Sequence, residues 1–267
     1  MAVRNRGNNV QNFNYHTHTS RCGHAVGTDR EYVKAAIKQG YKVLGFSDHA
    51  PYRNIPSPRI RMDWDMQDDY INSVKELKRE YEGIIDIHLG METEFYPEYL
   101  DEKKELHDKV EYLLLGQHFI KPTGEGTFFR QNTDDQIMEY AERIVQALDT
   151  GLFTYLCHPD LYMVKQTEFN ETCEKAAHII CKKAAETNTP LEINVHGAIR
   201  GKYPFPSGEQ YFYPNKQFWT IASQYDTRCL LGIDAHDPQH LLDSKIISDC
   251  LEELADLNLN FIKEPII

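Results

Sequence analysis

Seven short runs of apolar, β-branched and aromatic residues recur along the chain, each separated from the next by a longer amphipathic stretch. This alternation constrains the fold more than any other feature. The runs are NFNYHT (12–17), KVLGFSD (42–48), IIDIHLGMET (84–93), YLLLGQHF (112–119), TYLCH (154–158), PLEINV (190–195) and RCLLGIDA (228–235). Helices are expected at Asp29–Gln39, Asp65–Tyr81, Asp134–Leu148, Asn170–Thr187 and Pro214–Gln224, several opened by Asp or Asn in the capping position. In the helix from Asn170, residues Ala176, Ala177, Ile179, Ile180 and Ala184 fall on one side at the helical period. Strands that alternate with helices build a parallel sheet. The expected class is therefore α/β: a closed or nearly closed parallel barrel, with a doubly wound open sheet as the alternative. Ser57–Met62 and Gly197–Pro214 are the two long irregular connections, a kind of segment that often carries function.

A chain of 267 residues with 41% apolar content can bury one large core, so a single domain over 12–267 is expected after a flexible extension at 1–11. A formal charge of −12 disfavours a protein that wraps nucleic acid, which needs a basic face to neutralise phosphates. The opening residues MAVRNRGNNVQNF lack the apolar core of a signal peptide, and no apolar run reaches 18 residues, so a cytoplasmic protein without membrane contact is expected. The six cysteines form no CxxC pair and are too sparse for a disulfide framework; they read as reduced thiols packed as small apolar residues.

In either architecture the active site lies at the C-terminal ends of the strands. His16 and His18 end the first run, Asp48 and His49 the second, Glu92 and Glu94 the third, His118 the fourth, His158 the fifth, and Asp234 and His236 the seventh. A lone histidine is more often a surface or core side chain than a ligand. Independent placement would not bring imidazoles to so many strand ends, and seven of the twelve histidines (16, 18, 24, 49, 118, 158 and 236) lie at or just after one. HxH at a strand end has a definite use, because side chains at i and i+2 share a face and can grip one ion. Thr17 then packs outward, and Cys22 is a bystander. Imidazoles and carboxylates without thiolate pairs suit Zn, Mn or Fe. His16, His18, His24, His49, Glu92, His118, His158, Asp234 and His236 are too many for one tetrahedral ion and suffice for two or three, with Glu92 as the natural bridge. His88, His107, His178 and His240 read as structural or surface residues, and His196 as a residue behind the ligands.

The segments HTHTSRCGH, FSDHAP, GMETEF, GQHF, CHPDLY and GIDAH resemble successive motifs of the polymerase and histidinol phosphatase (PHP) superfamily of metal-dependent phosphoesterases, from about Tyr15 to Asp237. RMDWDMQDDYINSVKELKREYEGIIDIHLGMETEFYPEY and LEINVHGAIRGKYPFPSG are similar to segments of its histidinol-phosphate phosphatases. The resemblance implies a distorted seven-unit TIM-like barrel with its metal site at the C-terminal strand ends. It further implies one ion held by His16, His18, Glu92 and Asp234, a second by Glu92, His118 and His158, and a third by His24, His49 and His236. Three features depart from the pattern: Glu94 stands where Asp is common, Met163-Val164-Lys165 follows CHPDLY where a basic residue is expected nearer the motif, and His196 and the aromatic run Tyr203 to Tyr213 are unusual.

The expected activity is hydrolysis of a phosphate monoester, L-histidinol phosphate above others, as a step of histidine biosynthesis. Asp48, Glu92 and His236 are the expected catalytic residues, Asp48 by orienting His49 rather than donating a proton. Arg200 is the expected phosphate clamp, because a guanidinium makes bidentate contacts to phosphate oxygens. Arg59, Arg61 and Lys165 are weaker candidates that read by default as solvated charges. Glu94 is expected to meet the substrate ammonium, and Phe119, Tyr203 or Phe205 to flank its ring. The alternatives are a phosphoesterase for oligonucleotides, nucleotides or phosphotyrosine, an amidohydrolase, for which the carboxylated lysine has no good candidate, and a metal-storage protein.

Overall fold

The computed structural model describes residues 11–57 and 59–267. The expected extension at 1–11 thus lies outside the described residues except for Gln11. That residue is tied to the sheet, its side chain donating to Leu231 O at 2.7 Å and accepting from Leu231 N at 2.8 Å. Each of the seven runs holds a strand, shorter than the run itself: β1 (Phe13–Asn14), β2 (Val43–Phe46), β3 (Asp86–Thr93), β4 (Tyr112–Leu115), β5 (Tyr155–Leu156), β6 (Leu191–Asn194) and, after a small antiparallel hairpin β7 (Tyr203–Phe205) and β8 (Gly208–Gln210), β9 (Arg228–Gly232). A further strand, β10 (Asn260–Phe261), pairs with the start of β9. The eight strands of the main sheet are all parallel, in the order β1-β2-β3-β4-β5-β6-β9-β10. Beyond the strand ends Thr17 bridges Ala235, and His18 N donates to Ala235 O at 2.9 Å. The sheet therefore curls, and the chain just beyond β1 meets the chain just beyond β9; this is not the doubly wound order with its reversal across the sheet.

Among the described residues eight α-helices occupy the crossovers and the chain beyond β9: α1 (Asp29–Gln39), α2 (Gln67–Glu80), α3 (Leu100–His107), α4 (Asp134–Leu148), α5 (Glu171–Thr187), α6 (Val195–Ile199), α7 (Lys216–Ala222) and α8 (Ser244–Glu253). Asn170 caps α5 as expected, accepting from Cys173 N. For α1 and α4 the caps are instead Thr28 and Thr133, each in a capping box with Glu31 or Gln136. Asp29 and Asp134 sit one residue later, in the first turn, where a carboxylate complements the helix dipole. The connection Gly197–Pro214 is more ordered than expected, since it holds the end of α6 and the β7–β8 hairpin.

Strand residues are buried on both faces, as crossover helices on a parallel sheet require. Phe13, Tyr15, Val43, Tyr112, Leu114, Tyr155, Cys157 and Leu230 form a separate inner cluster, packed from the N-terminal side by Ile262, Ile266 and Ile267. Tyr112 Oη reaches Tyr15 O at 2.7 Å and Phe46 O at 2.9 Å, crossing the interior. The lumen is filled there, so the polar cluster sits at the opposite end of the strands. All six cysteines are buried and unpaired. Among the described residues no helix is long and apolar enough to cross a membrane.

Candidate metal centre

His16 and His18 follow β1 in extended chain, both fully buried and on the same side, while Thr17 between them makes the bridge to Ala235. Glu92 rises from the end of β3 into space left by Gly116, where a Cβ would overlap its carboxylate; Gly232 makes the same room for Glu192. His158 and Asp234 turn toward the centre with left-handed backbone, φ +29° and +52°, a strained arrangement that clusters at functional sites.

The side chains converge on Glu92 and Asp234. Glu92 Oε2 lies 2.9 Å from His49 Nδ1, 3.4 Å from His16 Nε2 and 3.5 Å from His18 Nε2. Its other oxygen lies 3.0 Å from His158 Nε2 and 3.4 Å from His118 Nε2, and those two nitrogens are 3.2 Å apart. Asp234 Oδ1 is 3.0 Å from His18 Nε2, 3.3 Å from His236 Nδ1 and 3.5 Å from His16 Nε2. His24, exposed at the rim, has its ring centre 4.5 Å from that of His236 and 5.5 Å from that of His49. The ligand atoms of His16, His18 and Asp234, and those of His24, His49 and His236, fall within 4.8 Å of one another. All nine expected ligands meet in one region.

Buried polar atoms are normally hydrogen-bonded. Here His16 Nε2, both ring nitrogens of His18, Glu92 Oε2, Asp234 Oδ1 and His236 Nε2 are buried without a hydrogen-bond partner. The charges agree with that demand. Burial pulls His18 down, but the nearby carboxylates of Asp234 and Asp48 outweigh this and raise it to about 9. Burial acts on His16 in the same sense, and Cys157, Glu192, Asp234 and Glu92 together drive it well above its usual range. Two buried imidazoles forced toward the cationic form mark an excess of negative charge that bound cations would neutralise. Burial depresses His49, to about 4, and takes His118 and His236 well below their usual range, leaving them as neutral rings with a lone pair to offer. Donor types, spacing and unmet polar atoms fit divalent ions.

A second layer fixes the rings. Glu192 Oε1 meets His16 Nδ1 at 2.7 Å, while Glu192 Oε2 accepts from His158 N at 3.0 Å and from Asn194 Nδ2 at 2.8 Å. Asn194 also donates to Asp234 Oδ2 at 3.1 Å. Strand β6 thus contributes through Glu192 and Asn194, which sequence reasoning passed over because that strand ends without a ligand; their i, i+2 spacing was the available signal. Asp48 accepts from the Thr19 hydroxyl and from His49 N, and its carboxylate lies 3.5 Å from His18 Nδ1. It faces the His18 ring rather than that of His49. Cys22 lies nearer the centre than expected, its sulfur grouped with His18 and His236, but burial raises its thiol far above the range where a thiolate forms.

A cleft of about 320 Å³ opens over the centre, walled by His24, His49, His118, His158, Asp234 and His236 of the nine and by Val26, Ile60, Phe129, His196, Arg200, Tyr213 and His240. A larger groove, about 730 Å³, lies at the N-terminal strand ends beside Lys42, Lys75 and Asp86, remote from this chemistry. Arg200 is in the cleft as expected, its guanidinium 5.6 Å from the Phe129 ring centre. The other substrate candidates are elsewhere. Glu94 accepts from His118 N at 3.2 Å and Phe119 N at 2.9 Å and sits 3.4 Å from Arg61, so it braces the His118 turn. Phe119 is buried away from the cleft, and Phe129, which stacks on His118 at 5.5 Å, forms the wall instead. Lys165 and Arg59 are exposed and outside it. Arg61 is no solvated charge: it is 4% exposed and donates to Pro122 O. Tyr203 and Phe205 pack on Phe212. His196 and His240 do line the cleft, which their sequence positions did not suggest.

The PHP domain family matches residues 14–196, and the chain belongs to that family. A Deinococcus radiodurans protein named "probable histidinol-phosphatase" is 26% identical over 251 residues, 91% of this chain and 92% of that one. The Bacillus subtilis histidinol-phosphatase is 32% identical over 116 residues, covering 40% of this chain and 43% of its own. The crystal structure of histidinol phosphate phosphatase from Lactococcus lactis, complexed with zinc, L-histidinol and phosphate, superposes with a TM-score of 0.72 at 18% identity, over 94% of this chain and 95% of that one, a likeness of fold.

Proposed function

We propose that this chain is a phosphoric monoester hydrolase whose substrate is L-histidinol phosphate, releasing L-histidinol and phosphate. The observation that carries the reading is the convergence of unpartnered buried imidazole and carboxylate atoms at one end of a PHP fold. The relatives' names supply the substrate. We read the sheet as the family's distorted seven-unit barrel, with β10 as an addition below β9, and residues 12–267 as one domain. His16, His18, Glu92 and Asp234 would hold one divalent ion, Glu92, His118 and His158 a second, and His24, His49 and His236 a third, with zinc, manganese and iron the candidate metals. Such ions supply Lewis acidity toward phosphoryl oxygens and make water nucleophilic at neutral pH.

The chain's own residues do the rest. Arg200, at the cleft wall, clamps phosphoryl oxygens by charge-assisted hydrogen bonds. Glu192 holds His16 through Nδ1, so the Nε2 lone pair faces the centre. Asp48, fully buried with its carboxylate 3.5 Å from His18 Nδ1, acts on that ring as a positioning residue through its charge. Glu94 and Arg61 steady the turn that presents His118. An apolar wall of Ile60, Phe129 and Val26 limits water around the ester.

The test is phosphate release from histidinol phosphate by protein loaded in turn with Zn, Mn and Fe. Single-stranded oligonucleotides, a phosphotyrosine peptide and generic phosphate esters serve as comparisons. Turnover of the generic esters with none of histidinol phosphate would refute the substrate; metal binding without any turnover would refute the enzyme.

A further inference from the structure

Histidinol phosphate offers three groups to a protein: the phosphoryl group, an ammonium and an imidazole. The ammonium needs a carboxylate or an open aromatic face. Among the described residues that wall the cleft Asp234 is the sole acid, and it belongs to the metal centre. Glu94 is spent on two backbone N–H groups and Arg61. Phe129 is already engaged: His118 stacks on it with planes 7° apart, and the Arg200 guanidinium lies 5.6 Å from its centre; Tyr213, the other such ring in the wall, is only 2% exposed. Arg200 itself repels a second cation nearby.

The ring of the substrate is better provided for. His240 Nδ1 accepts from His236 N at 3.2 Å, which fixes the tautomer and leaves Nε2–H as its free donor in a residue that lines the cleft. His196 stands beside it, ring centres 5.5 Å apart, as a second imidazole wall. Both are heteroaromatic side chains, suited to a polar ring that accepts one hydrogen bond and packs on its edges.

We propose that this cleft reads its leaving group at the imidazole, through the Nε2–H donor of His240 with His196 alongside, and leaves the ammonium without a protein partner. The proposal rests on the histidinol-phosphate reading and makes His240 a specificity-determining residue.

Three esters test it on the metal-loaded enzyme: histidinol phosphate, its deaminated analogue 3-(imidazol-4-yl)propyl phosphate, and 2-aminopropyl phosphate, which keeps the ammonium and lacks the ring. Removing the ammonium should change kcat/KM by no more than about threefold, and removing the ring should lower it by roughly 100-fold. His240→Asn keeps an acceptor near His236 N and deletes the Nε2–H donor. It should retain the wild-type metal content by elemental analysis and cut the preference for ring over ringless ester by about 10-fold. L-Histidinol binding in the presence of phosphate, followed by calorimetry, should weaken by the same factor. The proposal is overturned if losing the ammonium costs as much as losing the ring, or if His240→Asn leaves the preference unchanged. Hydrolysis of p-nitrophenyl phosphate with none of histidinol phosphate would instead strike the underlying reading and take the proposal with it.

Discussion

The two ends of the parallel strands each hold a buried histidine beside carboxylates, in opposite conditions. At the N-terminal end His88 meets Glu111 at 2.7 Å and Asp86 at 3.2 Å through its two ring nitrogens, and Lys78 closes the set on Glu111 at 2.8 and 2.9 Å. Tyr15 Oη takes the backbone N–H groups of Ile266 and Ile267. Among the described residues, Tyr155 Oη, inside the filled interior, and Arg228 Nε, at the start of β9, are exceptions there. At the C-terminal end the histidines point bare nitrogens at bare carboxylate oxygens. A strand histidine beside an acid is therefore no signature in itself. What separates structure from function is whether the hydrogen bonds close, and at one end of this molecule they are left open in a shape that cations complete.

The sharpest way to break the contrast is His16→Ala. It should lower kcat/KM by roughly a thousandfold or more, because metal chemistry is lost rather than trimmed, and elemental analysis should show fewer bound equivalents. Full activity at full metal content would refute the assignment of His16 as a ligand. Glu192→Ala should weaken metal affinity by about 10- to 100-fold, the usual effect of removing a partner that orients a ligating imidazole, read by chelator competition. Stripping the metals with a chelator should leave a folded protein by circular dichroism, since the apolar core lies outside the centre. Zinc returned at about a thousand times its Kd should then add ~4 kcal/mol of stability, seen as a rise in Tm. His88→Ala, at the other end, should cost about 1–3 kcal/mol in denaturant unfolding with metal content intact; a loss of metal there would abolish the distinction between the ends.

The sequence made the strands legible because burial on both faces gives them unbroken apolar runs, and it made the ligands legible because six of those runs end in His, Asp or Glu. β10, with two residues, and the β7–β8 hairpin, with three in each strand, are too short to establish a period. The role of Glu94 is not legible because it is decided by the backbone of the His118 turn, after the next strand in sequence but adjacent in space. Phe129 was missed because a bridge between Phe119 and Thr127 folds the chain back and sets it against His118. Thr28 and Thr133 cap helices at positions where the following Asp looked the better candidate.

The six cysteines, dispersed and without part in the proposed chemistry, carry one practical consequence. A buried thiol is shut off from an aqueous disulfide reagent until the surrounding structure opens. The chain therefore contains its own chromogenic clock: the folded molecule should react slowly and the denatured one should release six equivalents, so the rate of colour development counts excursions from the native state without any attached label.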